Sequence, residues 1–274
     1  MKKIVSILLS ALIVLMCGMI CASAADSAEV YVTITDAEGK IAVAAEKLTV
    51  TDADADGALT ITDALYAAHE KFYTGGAAAG YATEVTQYGL GLQMLWGSAN
   101  GGSYGYYVNN ASAWALTDPV TDGDYVAAYV YTDLVGWSDN YSYFDRFMGD
   151  VTANDAITLT YSQAGYDESW NPVTLPVEGA VITVDGKATD FITDAEGKVT
   201  LTLTENGAHL VSATIEGKNL VAPVFIASVT GAVEEPENPN APATGEDPAL
   251  FTVALCVMML AFAAVMIIRK KYAK

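Results

Sequence analysis

The sequence predicts a mostly β protein. An α+β first domain with one helix precedes a β-sandwich second domain, and both lie between a signal peptide and a C-terminal transmembrane helix. Three observations predict this. Apolar residues alternate at period two, as where Val30, Val32 and Ile34 are set between Tyr31, Thr33 and Thr35, the pattern of a strand with one buried face. Glycine turns punctuate such stretches, among them Asp185-Gly186, Glu196-Gly197, Asn206-Gly207 and Glu216-Gly217. One stretch, after residue 60, instead places its apolar residues at helical spacing.

The two ends differ from the middle. Lys2-Lys3, an apolar run to Met19 and Ala22-Ser23-Ala24 mark residues 1–24 as a secretory signal peptide cleaved after Ala24. Residues 250–268 are apolar but for Thr252, and Arg269-Lys270-Lys271 follows. That length can span a bilayer, and the basic residues hold their end inside. The membrane segment is therefore placed at residues 249–268, with a basic cytoplasmic tail at 269–274. Between the ends lie all 33 acidic residues but only 7 of the 13 Lys and Arg, a net charge of −26 against −20 for the whole chain. Such a surface disfavours nucleic acid and anionic lipid headgroups as partners. Cys17 and Cys21 fall in the signal peptide and Cys256 in the membrane segment. The exported part thus has no thiol for disulfides or catalysis.

The first domain is set at residues 25–148. Residues 29–50 read as strands, with a turn at Asp36-Ala37-Glu38-Gly39, a return at Ile41 to Val43, and Leu48-Thr49-Val50 leading into the loop that follows. Next come acids at 52, 54, 56 and 63, with Gly57 between them. Counted from Asp52, they occupy positions 1, 3, 5 and 12 of a twelve-residue loop that can wrap one hard cation. Asp52, Asp54, Asp56 and Asp63 would supply side-chain oxygens and Ala58 its carbonyl, while Gly57 allows the sharp turn. Thr60 to Asp63 also reads as a capping box, which needs no metal. The helix that follows places Leu65, Ala68, His69 and Phe72 on one face and Tyr66, Glu70 and Tyr73 away from it, and Gly75-Gly76 ends it. Loop 52–63 resembles a single dockerin-type EF-hand segment, which also closes on Asp. The resemblance implies calcium as the cofactor. Dockerins use two such segments to grip a cohesin, and this chain holds one.

Residues 88–133 are rich in aromatics and glycine. Leu90, Leu92, Met94 and Trp96 alternate, and residues 125–131 read as a strand apolar on both faces. Trp96, Tyr104, Tyr106, Tyr107 and Trp114 are the candidate ligand-binding residues. Their rings could form a platform for a sugar or a planar cofactor, although core filling is the alternative for each. The strands, the Thr-x-x-Asp-Ala-Leu helix start, Gly105-Tyr106-Tyr107-Val108-Asn109 and Asp122-Gly123-Asp124-Tyr125-Val126 together resemble the transcobalamin C-terminal-like domain. This resemblance covers about residues 28–135 and implies a mostly β fold with one helix. Corrinoid capture is the ligand chemistry it implies.

The second domain is set at residues 149–231, with strands at 157–161, 180–184, 199–204, 209–215 and 221–229. The Gly179-Ala180-Val181-Ile182-Thr183-Val184 stretch with the Thr193 to Lys198 turn resembles Ig-like repeats of bacterial surface proteins. Ile-Thr-Asp-Ala-Glu-Gly-Lys occurs at 34–40 and again at 192–198. The flanking residues differ, which marks a reused hairpin turn. Residues 232–248 hold four of the eight prolines and five acids, an extended stalk. Within it, residues 241–245 (Ala-Pro-Ala-Thr-Gly) match a sorting signal at Pro242, Thr244 and Gly245. Ala stands at 241 where the Leu-Pro-x-Thr-Gly pattern has Leu. The order of motif, span and basic tail resembles the wall-anchoring signals of Gram-positive bacteria, cut by a sortase transpeptidase between Thr and Gly.

Catalytic sets are scarce. The two histidines, His69 and His209, share parity with core residues, and no His-Glu-x-x-His occurs. The expectation is a non-enzymatic, calcium-stabilised, adhesin-like protein of the cell surface, wall-anchored or held by one membrane span, with an extracellular ligand such as a glycan. Corrinoid or other cofactor capture and a purely structural spacer are the alternatives. A spacer predicts no exposed aromatic surface.

Overall fold

The computed structural model describes residues 27–232. The signal peptide, the stalk beyond Ala232, the sorting motif, the membrane segment and the basic tail all lie outside the described residues. Among the described residues, no helix is long and apolar enough to cross a membrane. Among those residues the architecture is mostly β, in several sheets, with two helices.

β1 (Ala28–Thr35) and β2 (Ile41–Val50) form the antiparallel hairpin that the alternation implies. β1 also runs parallel to β7 (Tyr125–Val130), which pairs with β5 (Tyr104–Val108), and β6 (Ala111–Ser112) completes this five-stranded sheet. Val30, Val32 and Ile34 are fully buried against Ile61, Leu65 and Ala68 of helix α1 (Ile61–Phe72). This first core grows from two periodicities meeting: every second residue of a strand, and every third or fourth of a helix.

The helix departs from expectation at its end. Its buried run stops at His69, and Phe72 is exposed, with Lys71 Nζ 4.9 Å from its ring centre. Gly75 and Gly76 take positive φ and break the helix, after which three alanines resume a single helical turn, α2 (Ala77–Gly80). β3 (Ala82–Thr86) and β4 (Gly89–Met94) then form a separate two-stranded ribbon.

The later strands build two sheets. β10 (Ala156–Tyr166) pairs with β8 (Ser142–Phe144), with β11 (Pro172–Pro176) and with β14 (Lys198–Thr202). The other sheet runs β13 (Lys187–Ile192), β12 (Val181–Val184), β15 (Gly207–Thr214), β16 (Phe225–Thr230) and β9 (Met148–Thr152), with β9 parallel to β16. Phe144, Leu159, Tyr161, Ile182, Leu201 and Phe225 fill a second core between these strands. Asp185 and Gly186, with φ of 51° and 76°, make the two-residue turn joining β12 to β13. The expected limit between residues 148 and 149 falls inside β9. Both β8 and β9 hydrogen-bond to strands from later in the chain.

Thr33 and Thr35 are buried, where alternation alone predicts an exposed face. A third cluster covers that face: Tyr125, Ala127 and Tyr129 of β7 and Ala45 of β2 pack with Tyr141, Val221 and Val224. Thr33 is satisfied there, its Oγ1 accepting the Ala45 N–H at 2.9 Å and the Tyr125 hydroxyl at 3.0 Å. Tyr141 stacks on Tyr107 with ring centres 3.8 Å apart and donates its hydroxyl to Asn110 Oδ1 at 2.8 Å. All described residues belong to one compact unit, closed by this tyrosine joint.

Candidate functional site

The acidic loop folds on its own carboxylates. Asp52 accepts the N–H groups of Asp56 and Gly57 at 3.1 and 2.9 Å, and Gly57 takes the left-handed φ of 90°. Asp63 is fully buried and holds the loop to the helix. Its Oδ1 accepts Ala53 N–H at 2.8 Å, and its Oδ2 accepts the N–H and hydroxyl of Thr60 at 2.9 and 2.8 Å. Carboxylate oxygens of Asp52, Asp54 and Asp63 lie within 4.8 Å of one another. Asp56 is not in this group, because its Oδ1 turns to the Ala58 N–H at 2.9 Å. Both oxygens of Asp52 and Oδ1 of Asp63 accept one hydrogen bond each and keep a lone pair, whereas Asp63 Oδ2 is filled by Thr60, so three oxygens beside Asp54 remain to fit a hard cation such as calcium.

Partial burial, then the charges of Asp56, Asp63 and Asp52, push the Asp54 carboxyl above its usual range. Without a cation its negative charge therefore works against the fold, and the cost is relieved by protonation or by charge removal. Asp54→Asn is expected to raise the melting temperature in EDTA and to weaken any stabilisation by calcium. A calorimetric scan of both proteins, with EDTA and with calcium, checks both halves.

The five aromatic candidates separate. Trp96 packs on the first core, donates its backbone N–H to His69 Nε2 at 3.0 Å and meets the Tyr73 ring edge-on at 5.1 Å. The Tyr104 hydroxyl lies 2.8 Å from both the Gln93 and Ser98 carbonyls, and Tyr106 also packs on that core. Those three serve structure. Tyr107 and Trp114 instead line a groove of about 580 Å³. Tyr143, Tyr166 and Trp170, from later in the chain, line it as well, together with Ala164 and Gly165. Trp114 is 96% exposed, Trp170 81% and Tyr166 59%. Burial, then the neighbouring Tyr166 and Tyr131, push the Tyr107 hydroxyl up to about 12, so it stays protonated and able to donate.

Trp170 sits in a turn used three times. In the turn at 36–40, Asp36 Oδ1 accepts the N–H groups of Glu38 and Lys40, and the Gly39 N–H reaches the Asp36 carbonyl. Asp194 repeats this with Glu196, Lys198 and Gly197. Asp167 repeats it again with Ser169, Asn171 and Trp170. The fourth position is left-handed in all three, with φ of 74° at Gly39, 73° at Gly197 and 63° at Trp170. Glycine adopts that conformation freely, whereas another residue pays about 1–2 kcal/mol. A bulky, exposed indole thus occupies the position where the other copies place glycine. Tyr143, Tyr166 and Trp170 escaped the sequence reading. The signal for Trp170 is the comparison of Asp167-Glu-Ser-Trp-Asn171 with the two Asp-Ala-Glu-Gly-Lys turns.

Both histidines have structural partners. His69 is fully buried, donates from Nδ1 to the Leu65 carbonyl at 2.6 Å and accepts at Nε2 from Trp96, and burial pushes its pKa down. His209 Nδ1 lies 2.7 Å from Asp185 Oδ2, and that hydrogen bond raises the imidazole pKa. Burial pushes the Asp185 carboxyl up, but bonds from His209 and the Leu210 N–H outweigh it, and the net shift is down. The raised His209 pKa stabilises the fold below the unfolded value near 6.5, and this is lost as pH rises through the folded value. Melting of His209→Gln is therefore expected to decline less than that of wild type as pH rises from about 6 to 8.

No family model matches the chain, and no curated protein does either.

Proposed function

We propose that this chain is a non-catalytic, adhesin-like binding protein of the outer face of a Gram-positive cell, with the aromatic groove as its ligand site. The observation that carries the reading is the pair of exposed indoles, Trp114 and Trp170, in one groove. Water-exposed tryptophan is costly surface, and on a scaffold this acidic it suits capture of a ligand better than spacing alone. The finer architecture belongs to the same proposal: an α+β domain of transcobalamin C-terminal-like type, then an Ig-like sandwich whose two sheets share the second core. The wall or membrane anchor rests on Pro242, Thr244, Gly245 and the apolar run after them.

Calcium enters as a stabiliser of the scaffold. At Asp52, Asp54 and Asp63, with Asp56 and the Ala58 carbonyl available on rearrangement, a dissociation constant on the order of 0.1–1 mM is expected. Ten-fold saturation of such a site adds about 1.4 kcal/mol to the folded state. A screen of the exported portion against a glycan array, corrinoids and haem, followed by tryptophan fluorescence, tests the function. Binding that quenches the indoles supports it. A protein that binds none of these and leaves its indoles unprotected speaks for the spacer.

A further inference from the structure

The groove is electrically unlike the rest of the exported chain. Not one Asp, Glu, Lys, Arg or His lines it, although the surrounding segment carries a net charge of −26 from 33 acids and 7 bases. An acidic ligand would meet the repulsion of that body with no cation to receive it, and a cationic ligand would find no carboxylate in the groove. What the lining offers is aromatic rings, several small residues, and amide and hydroxyl groups from Asn110, Ser112, Thr174 and Tyr107. We propose that the groove binds a neutral oligosaccharide, with Trp114 and Trp170 each receiving the apolar face of a sugar ring. This rests on the groove being the ligand site.

Three features favour a saccharide. The ring hydroxyls of a sugar need both donors and acceptors around their rim, and hydroxyl and amide side chains supply both. A proline-rich peptide, the other neutral partner of aromatic grooves, presents mainly carbonyl acceptors and leaves half of those groups unused. Histidine, cysteine and methionine are absent from the lining, so a corrinoid cobalt finds no imidazole or sulfur ligand there. Both indoles are largely exposed, so their faces are accessible to a chain lying across the surface rather than to an enclosed small molecule. Trp170 keeps a left-handed backbone where two equivalent turns use glycine, and ring stacking on a ligand gives that indole a purpose.

The experiment is isothermal titration of the full chain, held in a detergent without a sugar head group. The probes are neutral gluco-, manno-, xylo- and chito-hexaoses, oligogalacturonate, a proline-rich peptide and cyanocobalamin. Binding of at least one neutral oligosaccharide is expected. It should weaken about tenfold or more in Trp114→Ala and in Trp170→Gly, and Trp170→Tyr should retain most of it. Trp170→Gly restores the residue of the sister turns, so its melting temperature should not fall, which separates lost binding from lost folding. Tryptophan-dependent binding of only the acidic sugar, the peptide or cyanocobalamin overturns the ligand class while the groove reading stands. Saccharide binding untouched by either tryptophan variant overturns the groove itself. Failure of every neutral oligosaccharide to bind at about 10 mM overturns the proposal.

Discussion

Asp63→Ala is expected to lower the melting temperature of the calcium-free protein by about 6–12 °C, from a loss of about 3 kcal/mol. The carboxylate is fully buried, and one side chain serves the loop through Ala53 and the helix N-terminus through Thr60. Its removal leaves Ala53 and Thr60 donors without their acceptor, which adds a desolvation penalty to the lost cap. Asp63→Asn keeps one acceptor oxygen and should lose less. The same substitutions should abolish stabilisation by calcium, in contrast to Asp54→Asn, which raises calcium-free stability. Opposite signs at two carboxylates of one cluster would show that Asp63 acts as cap and ligand together, while the charge of Asp54 favours the fold only when a cation is bound.

Tyr141→Ala should cost about 3–5 kcal/mol, the loss expected for a buried aromatic truncated in a packed joint. Its ring lies between Tyr107 and Tyr143, with centres at 3.8 and 5.5 Å, and its hydroxyl holds Asn110. Tyr107, Asn110 and Tyr143 all line the groove, so ligand binding should weaken although Tyr141 itself is not in the lining. Tyr141→Phe keeps the stack and loses one hydrogen bond, at a cost of about 1 kcal/mol. Chemical denaturation of the three proteins checks the order, and a groove titration on each checks the coupling.

Much of this fold is legible in the residues, because period two and period 3.6 are direct consequences of backbone geometry. Val30, Val32 and Ile34 mark their strand, and the helix start at Thr60 to Asp63 is marked by its cap. Alternation tells which residues share a face. It does not tell what covers that face. Thr33 and Thr35 therefore read as exposed until the tyrosine joint is seen to cover them, and Trp96 and Tyr104 read as a platform until their core partners are known. β3, β11 and β13 have no clean apolar alternation, since each is an edge strand with most of its residues exposed. The groove was half legible. Tyr107 and Trp114 stand in an aromatic stretch, but Trp170 lies 56 residues beyond Trp114 in sequence, and only tertiary pairing brings the two together.

The most direct test of the central claim is retention of cells on a surface coated with the oligosaccharide that binds best. Cells displaying the wild-type chain should be retained, and cells displaying Trp114→Ala with Trp170→Gly at equal surface density should wash away. Equal retention of both, or wild-type retention no greater than that of cells lacking the protein, would contradict the account.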